Sequence, residues 1–223
     1  MKVFKVQNVD VGEIRKLGKV AILKRSGDKI LVEGENERFE FCRDLKDVLS
    51  ALSSLGYDFA VLVNLEGEIG VPIKEVKNIE EVSSVEDFES LESILRKLKT
   101  RGERCGAIGV FVGFVREINE GKRVVKLEYE RYDELYFEKL EEIERRIERL
   151  EGVYGVKIYH KVGTVKPRED IVYVAVMSDH RKNLWKALIE AVESFKRELP
   201  VWKKEVYEDG EVWAHDRDLK RRR

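Results

Sequence analysis

Four segments of the chain carry cationic side chains at positions where strands or helices are expected to begin or end. Arginine forms bidentate hydrogen bonds with anionic oxygens, and lysine can transfer protons when neighbouring cations and burial lower its pKa. Taken singly, each segment also has a structural explanation, such as a cation in the last turn of a helix. The segments are Gly113-Phe114-Val115-Arg116, Ser178-Asp179-His180-Arg181, Lys196, and Pro200-Val201-Trp202-Lys203-Lys204-Glu205.

The overall composition excludes several classes of protein. The net charge of -1 excludes nucleic-acid binding by bulk electrostatics, so an anion site must be a local cluster. Cys42 and Cys105 form no CxxC pair, which argues against a disulfide framework or a zinc site. No apolar run reaches transmembrane length and no signal-peptide pattern begins the chain, so we expect a cytoplasmic protein. The 39% of charged residues favours a hot environment over an ordinary solvated surface.

Residues 1–80 predict a small mixed α/β domain. Short runs of β-favouring residues are separated by turn signals such as Ser26-Gly27-Asp28, and leucines between Leu45 and Leu55 recur at helical spacing. The predicted strands are Met1–Val6, Lys19–Lys24, Lys29–Glu33, Arg38–Phe41 and Phe59–Val63.

Residues 81–223 predict a second domain of the α+β class. Its first helix is expected to begin at a capping pair, Ser84 and Asp87, and its last helix is expected to end at Pro200. The predicted strands are Ala107–Val115, Val124–Tyr129, Lys157–His160 and Ile171–Met177, and the predicted helices are Asp133–Leu150 and Lys182–Leu199.

Several motifs of this second domain occur together in a specific order. They read GAIGVFVGFVRE, LEYERY, HKVG, SDHR, FKRELPVWKKE and DGEVW. The resemblance extends from about residue 84 to about residue 216. In this combination the chain resembles the large-subunit family of molybdopterin synthases. The resemblance implies an α/β-hammerhead-like domain that installs a dithiolene on cyclic pyranopterin monophosphate. It also implies a sulfur donor, the C-terminal thiocarboxylate of a small ubiquitin-like subunit, within a heterotetramer built on a dimer of large subunits.

The resemblance also implies roles for individual residues, without a metal or a cofactor. Lys196 and Lys203 match the two active-site lysines of the family. The residues implied in substrate binding are Phe114, Val115, Arg116, His180, Arg181, Lys204 and Glu205. Arg217 is also implied, although the residues around it differ from those of the family. The chain departs from the family at Lys161, at Leu184-Trp185 and at Glu193, which affects fine substrate contacts more than the reaction.

The implied chemistry agrees with the residue types. A phosphate-bearing substrate and an anionic thiocarboxylate repel each other, and cations in a partly dry pocket offset that repulsion. Arg181 and Lys196, however, would be separated by roughly 22 Å on a straight helix that rises ~1.5 Å per residue. We therefore expect a site shared by two copies of the chain.

Two alternative functions are compatible with the sequence. The second domain could be a non-catalytic scaffold for assembly of a molybdenum or tungsten cofactor, although retention of all four cationic segments argues against that. The first domain could be a remnant of a nucleotide-binding protein, but the chain contains no GxxxxGK[ST] loop. A docking or dimerisation module is the preferred interpretation.

Overall fold

A computed structural model describes residues 1–7 and 9–214 and divides into two compact units. The N-terminal unit comprises Met1–Ser93, and the C-terminal unit begins at Ile94. The first unit extends past residue 80 because Val82 and Val85 belong to its hydrophobic core. The backbone N–H of Phe88 also donates a hydrogen bond to the carbonyl oxygen of Met1, at 2.8 Å.

The N-terminal unit contains one six-stranded sheet with the strand order β4-β3-β2-β5-β1-β6. Strand β1 is parallel to β5 and β6, β2 is parallel to β5, and β2, β3 and β4 form antiparallel pairs. The strands are β1 (Lys2–Val6), β2 (Val20–Ser26), β3 (Lys29–Glu33), β4 (Arg38–Phe41), β5 (Phe59–Val63) and β6 (Lys74–Val76). All five predicted strands are confirmed, with bounds that shift by no more than two residues.

Two α-helices accompany this sheet. Helix α2 (Leu45–Ser54) begins at Asp44, whose carboxylate accepts a hydrogen bond from the Asp47 N–H, and its apolar side chains are buried at helical spacing. Helix α1 (Val11–Arg15) has a similar cap at Asp10. The sequence did not predict α1, because five residues are too few for a periodic pattern.

The predicted capping pair Ser84 and Asp87 is wrong. Ser84 ends a 3₁₀ helix (Glu80–Ser84), and helix α3 begins later, at Leu91–Lys99. The reciprocal cap is formed instead by Ser90 and Ser93, each of whose hydroxyl oxygens accepts the backbone N–H of the other, at 3.2 and 3.0 Å. The hydroxyl of Ser84 instead donates a hydrogen bond to the carbonyl oxygen of Glu81.

The C-terminal unit contains a three-stranded sheet, β10-β12-β7, and a five-stranded sheet, β11-β9-β13-β14, in which β8 also pairs with β9. All of these pairings are antiparallel. The strands are β7 (Ala107–Phe114), β8 (Ile118–Asn119), β9 (Lys122–Arg131), β10 (Val153–His160), β11 (Gly163–Val165), β12 (Asp170–Ser178), β13 (Val201–Tyr207) and β14 (Gly210–Trp213).

Helices α4 (Asp133–Glu148) and α5 (Arg181–Glu198) contact the three-stranded sheet and each other. Gly109 on β7 allows α5 to approach, because a Cβ there would lie 3.1 Å from Leu184 Cγ. The mixed α and β class and both predicted helices are confirmed, while the hammerhead-like arrangement stays a prediction. Strands β8, β11, β13 and β14 were not predicted. No helix of the described residues is long and apolar enough to cross a membrane.

The turn before β10 supports the start of α5. Gly152 has a φ of +72°, and its carbonyl oxygen accepts the N–H of Asp179 at 2.9 Å. The Asp179 carboxylate in turn accepts hydrogen bonds from the His180 N–H and from Asn183 Nδ2. A Cβ at Gly152 would overlap with both Asn183 and Asp179.

We expect Gly152→Ala to lower the free energy of unfolding by about 3 kcal/mol, because left-handed strain and overlap add together. Gly121→Ala is the matched control: Gly121 has a φ of +79°, but nothing lies within 4 Å of its added Cβ. Strain alone predicts a loss of about 1 to 2 kcal/mol for the control. Urea denaturation of both variants measures the difference, and equal losses would contradict the packing described for Asp179 and Asn183.

Candidate functional site

The two predicted lysines line one cavity of about 580 Å³ in the C-terminal unit, which we call the lysine pocket. Lys196 comes from the last turn of α5, and Lys203 comes from β13. A volume of this size is typical of small-molecule sites. The described residues that line the pocket are Tyr129, His160, Phe195, Lys196, Leu199, Val201, Trp202, Lys203, Trp213 and Ala214.

The pairing of β13 with β9 determines which charges face the pocket. Lys203 lies opposite Tyr129 in this register, and side chains alternate between the two faces of a strand. Lys204 is held by Glu128 at 3.3 Å and by Glu211 at 2.9 Å, and it is not among the described residues lining the pocket. Its expected contact with substrate therefore stays a prediction.

Glu205 is a buried carboxylate beside the lysine pocket, with 2% of its surface exposed. Its Oε1 lies 2.7 Å from the Nζ of Lys203. Its Oε2 accepts hydrogen bonds from Asn119 Nδ2, at 3.1 Å, and from the Tyr207 hydroxyl. A buried charge is tolerated when it has such partners. Glu205 is not among the described residues that line the pocket, and its expected contact with substrate stays a prediction.

A buried histidine forms another wall of the pocket. Burial, with a smaller contribution from the Arg131 guanidinium, lowers the pKa of His160 to about 4. His160 is therefore neutral near pH 7, and its Nδ1 lies 2.7 Å from the Lys161 carbonyl oxygen, which requires the proton on Nδ1. Its ring makes an edge contact with Tyr129, with ring centroids 4.9 Å apart. Burial, and then the charge of Glu205, raises the pKa of the Tyr129 hydroxyl.

His180 and Arg181 line a different cavity, of about 600 Å³. His180 is the N-cap residue of α5, and Arg181 is its first helical residue. The helix continues without interruption to Glu198, so Arg181 and Lys196 are separated by roughly 22 Å at ~1.5 Å per residue. Within one chain, the structure does not bring these two cationic pairs together.

The segment around Arg116 follows the end of β7. Phe114 is 58% exposed, and Arg116 is exposed as well, whereas the side chain of Val115 is buried in the core with 1% exposure. None of the three is among the described residues that line the two cavities. Arg217 lies outside the described residues. The binding roles of all four stay predictions.

Eight of the ten described lining residues were not predicted as site residues, among them Tyr129, His160, Trp202 and Trp213. Each of these four lies within one of the motifs that carry the resemblance, LEYERY, HKVG, PVWKKE or DGEVW. The signal was therefore present in the sequence. What was missing was the pairing of β9 with β13 and of β13 with β14, which brings three of these motifs together.

A family model described as MoaE protein matches residues 84–198, which is 115 of the 223 residues. The chain belongs to the MoaE protein family. The match ends within α5, so Lys196 lies inside it and Lys203 lies beyond it. Most of the N-terminal unit precedes the match.

Relatives of this MoaE-family chain match about half of its length. A molybdopterin synthase catalytic subunit from Bacillus subtilis is 40% identical over 124 residues, or 56% of this chain and 78% of that protein. Molybdopterin synthase catalytic subunit 1 from Aedes aegypti is 43% identical over 110 residues, or 49% of this chain and 71% of that protein. The crystal structure of molybdopterin synthase from Staphylococcus aureus matches with a TM-score of 0.51 at 34% identity, covering 57% of this chain and 91% of that one.

We expect the stability of the C-terminal unit to depend on His160 in acid. The unfolded chain binds a proton at this histidine below about pH 6.5, whereas the folded protein does so only near pH 4. Because the unfolded state binds more protons in this window, the free energy of unfolding falls as the pH falls through it, by up to about 3 kcal/mol.

His160→Phe removes this contribution while keeping a ring against Tyr129. Chemical denaturation across the window should therefore show a shallower loss of stability in acid than in the parent protein. His180→Ala is the control, because His180 is exposed, and its pH dependence should follow the parent. An unchanged slope in His160→Phe would contradict the buried neutral state.

Proposed function

We propose that this MoaE-family chain is the catalytic large subunit of a molybdopterin synthase and acts as a sulfurtransferase. It would transfer sulfur from the C-terminal thiocarboxylate of a small ubiquitin-like subunit to cyclic pyranopterin monophosphate, forming the dithiolene of molybdopterin. The observation that carries the proposal is the meeting of Lys196 and Lys203 in one cavity. These are the two lysines that the resemblance assigned to the active site.

The electrostatics of the lysine pocket support an anionic substrate and an anionic donor. Two ammonium groups face the cavity, and Glu205, which pairs with Lys203, is buried behind it. Cations in a cavity of low dielectric reduce the repulsion between a phosphate-bearing ligand and a thiocarboxylate by more than they would in water. The aromatic side chains of Trp202 and Trp213 add flat apolar surface suited to a pterin ring.

The sulfur does not have to be carried by this chain. No cysteine is among the described residues that line the lysine pocket. Cys42 lies in the N-terminal unit and is exposed, and burial raises the pKa of the Cys105 thiol, which makes it a weaker nucleophile. A partner that brings a thiocarboxylate therefore fits the residues better than a persulfide on a cysteine of this chain.

We also propose that the active site is shared between two copies of the chain. His180 and Arg181 carry donors suited to a phosphate at a helix start, but they lie at the end of α5 remote from Lys196. In a symmetric dimer, the His180 and Arg181 of one copy can complete the lysine pocket of the other. Arg116 is expected to join them. The N-terminal unit is proposed as a docking or dimerisation module that chemistry does not require.

We expect Lys196→Ala and Lys203→Ala each to lower the rate of molybdopterin formation by at least about a hundredfold, because each removes a cation or proton carrier from the reacting centre. The assay combines the protein, a thiocarboxylated small subunit and cyclic pyranopterin monophosphate. Circular dichroism checks that the variants remain folded.

Lys139→Ala is the matched control for these variants. Lys139 is a helical lysine on α4 that pairs with Glu142 at 2.7 Å and is not among the lining residues described for the pocket. Its rate should stay within about twofold of the parent, as for other surface substitutions. Near-normal turnover in both pocket variants would contradict the proposed roles. A parent protein that binds both substrates without forming product would favour the scaffold alternative.

A further inference from the structure

The two oxygen atoms of Glu205 have different partners. Oε1 pairs with the Nζ of Lys203 at 2.7 Å. Oε2 accepts hydrogen bonds from Asn119 Nδ2 at 3.1 Å and from the hydroxyl of Tyr207. Asn119 Nδ2 also lies 3.0 Å from the Tyr207 hydroxyl oxygen, so these three side chains form one connected cluster.

We propose that Asn119 and Tyr207 are positioning residues that hold Glu205 and, through it, the ammonium group of Lys203 in the lysine pocket. The proposal deepens the proposed function and rests on it, because it concerns how one of the two active-site lysines is held. Neither residue is among those lining the lysine pocket in the described part of the chain. Both instead line a separate cavity at the tips of the β8–β9 and β13–β14 hairpins.

Because Glu205 is buried, it depends on the hydrogen bonds that this cluster provides. With 2% of its surface exposed, the carboxylate cannot replace a lost hydrogen bond with bulk water. The two donors saturate Oε2, which leaves Oε1 to face Lys203. When either donor is lost, Oε2 attracts the Lys203 ammonium more strongly, and the ammonium would be drawn further toward the carboxylate and away from the cavity.

The side chains of the cluster come from two separate parts of the sequence. Tyr207 follows Glu205 by two residues on β13 and therefore shares its face of the strand. Asn119 comes from β8, which pairs with β9 and is remote in sequence from β13. Two hairpins therefore converge on one carboxylate oxygen, and the β8–β9 hairpin gains a role at the site that no motif assigned to it.

The described groups that line the lysine pocket with Lys203 include Tyr129 from β9, His160 from β10 and Lys196 from α5. Tyr129 and His160 are neutral near pH 7, and Lys196 repels the Lys203 ammonium. Glu205, whose Oε1 lies 2.7 Å from the Lys203 Nζ, holds the ammonium against this repulsion.

The test is Tyr207→Phe, which removes one hydroxyl and keeps the ring. We expect the carbon-13 NMR signal of the Lys203 Cε atom, read at one pH, to move from its position in the parent, because the ammonium is drawn closer to Glu205. The signal is assigned by its loss in Lys203→Arg. At fixed pH, kcat should fall at least about fivefold while KM for the cyclic pterin stays within about twofold.

Tyr132→Phe is the matched control. The Tyr132 hydroxyl also donates to a glutamate, Glu134, but both side chains are exposed and outside the cluster. The NMR signal of Lys203 and the turnover should match the parent in this variant. Asn119→Asp is the second test. It keeps the shape of the side chain, replaces a donor with a negative charge beside Glu205, and should move the Lys203 signal as well.

The NMR signal tests the positioning role independently of activity. A Lys203 signal that stays at its parent position in both Tyr207→Phe and Asn119→Asp overturns that role. A folded parent protein that forms no molybdopterin would instead overturn the proposed function, and a moved signal in the variants would still support the cluster. If Asn119→Asp does not fold, Tyr207→Phe decides alone.

Discussion

The length and continuity of α5 are the constraint on which the arrangement of the site depends. Its buried side chains, among them Leu184, Ala187, Ala191 and Phe195, pack into the core of the C-terminal unit along the whole helix. A helix packed in this way cannot bend to bring its first residue near its last turn, because a sharp kink needs a proline, a bulge or an inserted group. The cations at its two ends therefore belong to two cavities in one chain.

The short connection after α5 has the opposite effect and brings two lysines together. Pro200 ends the helix, and β13 begins at the next residue, Val201. Pairing of β13 with β9 in the observed register then directs Lys203 into the pocket and Lys204 to Glu128 and Glu211. A slip of one residue would exchange these faces and bury Lys204 beside Tyr129, so the chemistry depends on the register as much as on the residues.

Much of the fold was predictable because its patterns are local. The buried strand Phe59–Val63 and the amphipathic helices α2, α4 and α5 were identified from periodicity and from proline and glycine signals. Strand β13 was not, since Lys203, Lys204 and Glu205 interrupt its apolar alternation, and charged residues are seldom buried. Glu205 is buried because partners from β8 and β13 satisfy it, and such long-range satisfaction leaves no local signal.

The candidate site, like the fold, was predictable from local motifs but not from long-range contacts. Lys196 and Lys203 could be assigned from their motifs, and the structure adds that they face one cavity. The contribution of His160 depends on its burial at the end of β10, which its motif alone did not reveal. The capping error at Ser84 has a similar cause, because several serines competed for the same role and only packing decided which of them capped α3.

Mixed dimers test most directly the proposal that one pocket takes cations from two copies of the chain. Arg181→Ala and Lys196→Ala subunits are prepared with different affinity tags, exchanged and purified through both tags. Each parent variant should be nearly inactive.

A shared site predicts that the mixed dimer regains about half of the normal turnover, because one of its two pockets contains only unaltered contributions. Its other pocket carries both substitutions. If each pocket is instead formed within one chain, both pockets of the mixed dimer carry one substitution. Turnover no higher than in the parent variants, after confirmed subunit exchange, would contradict the account.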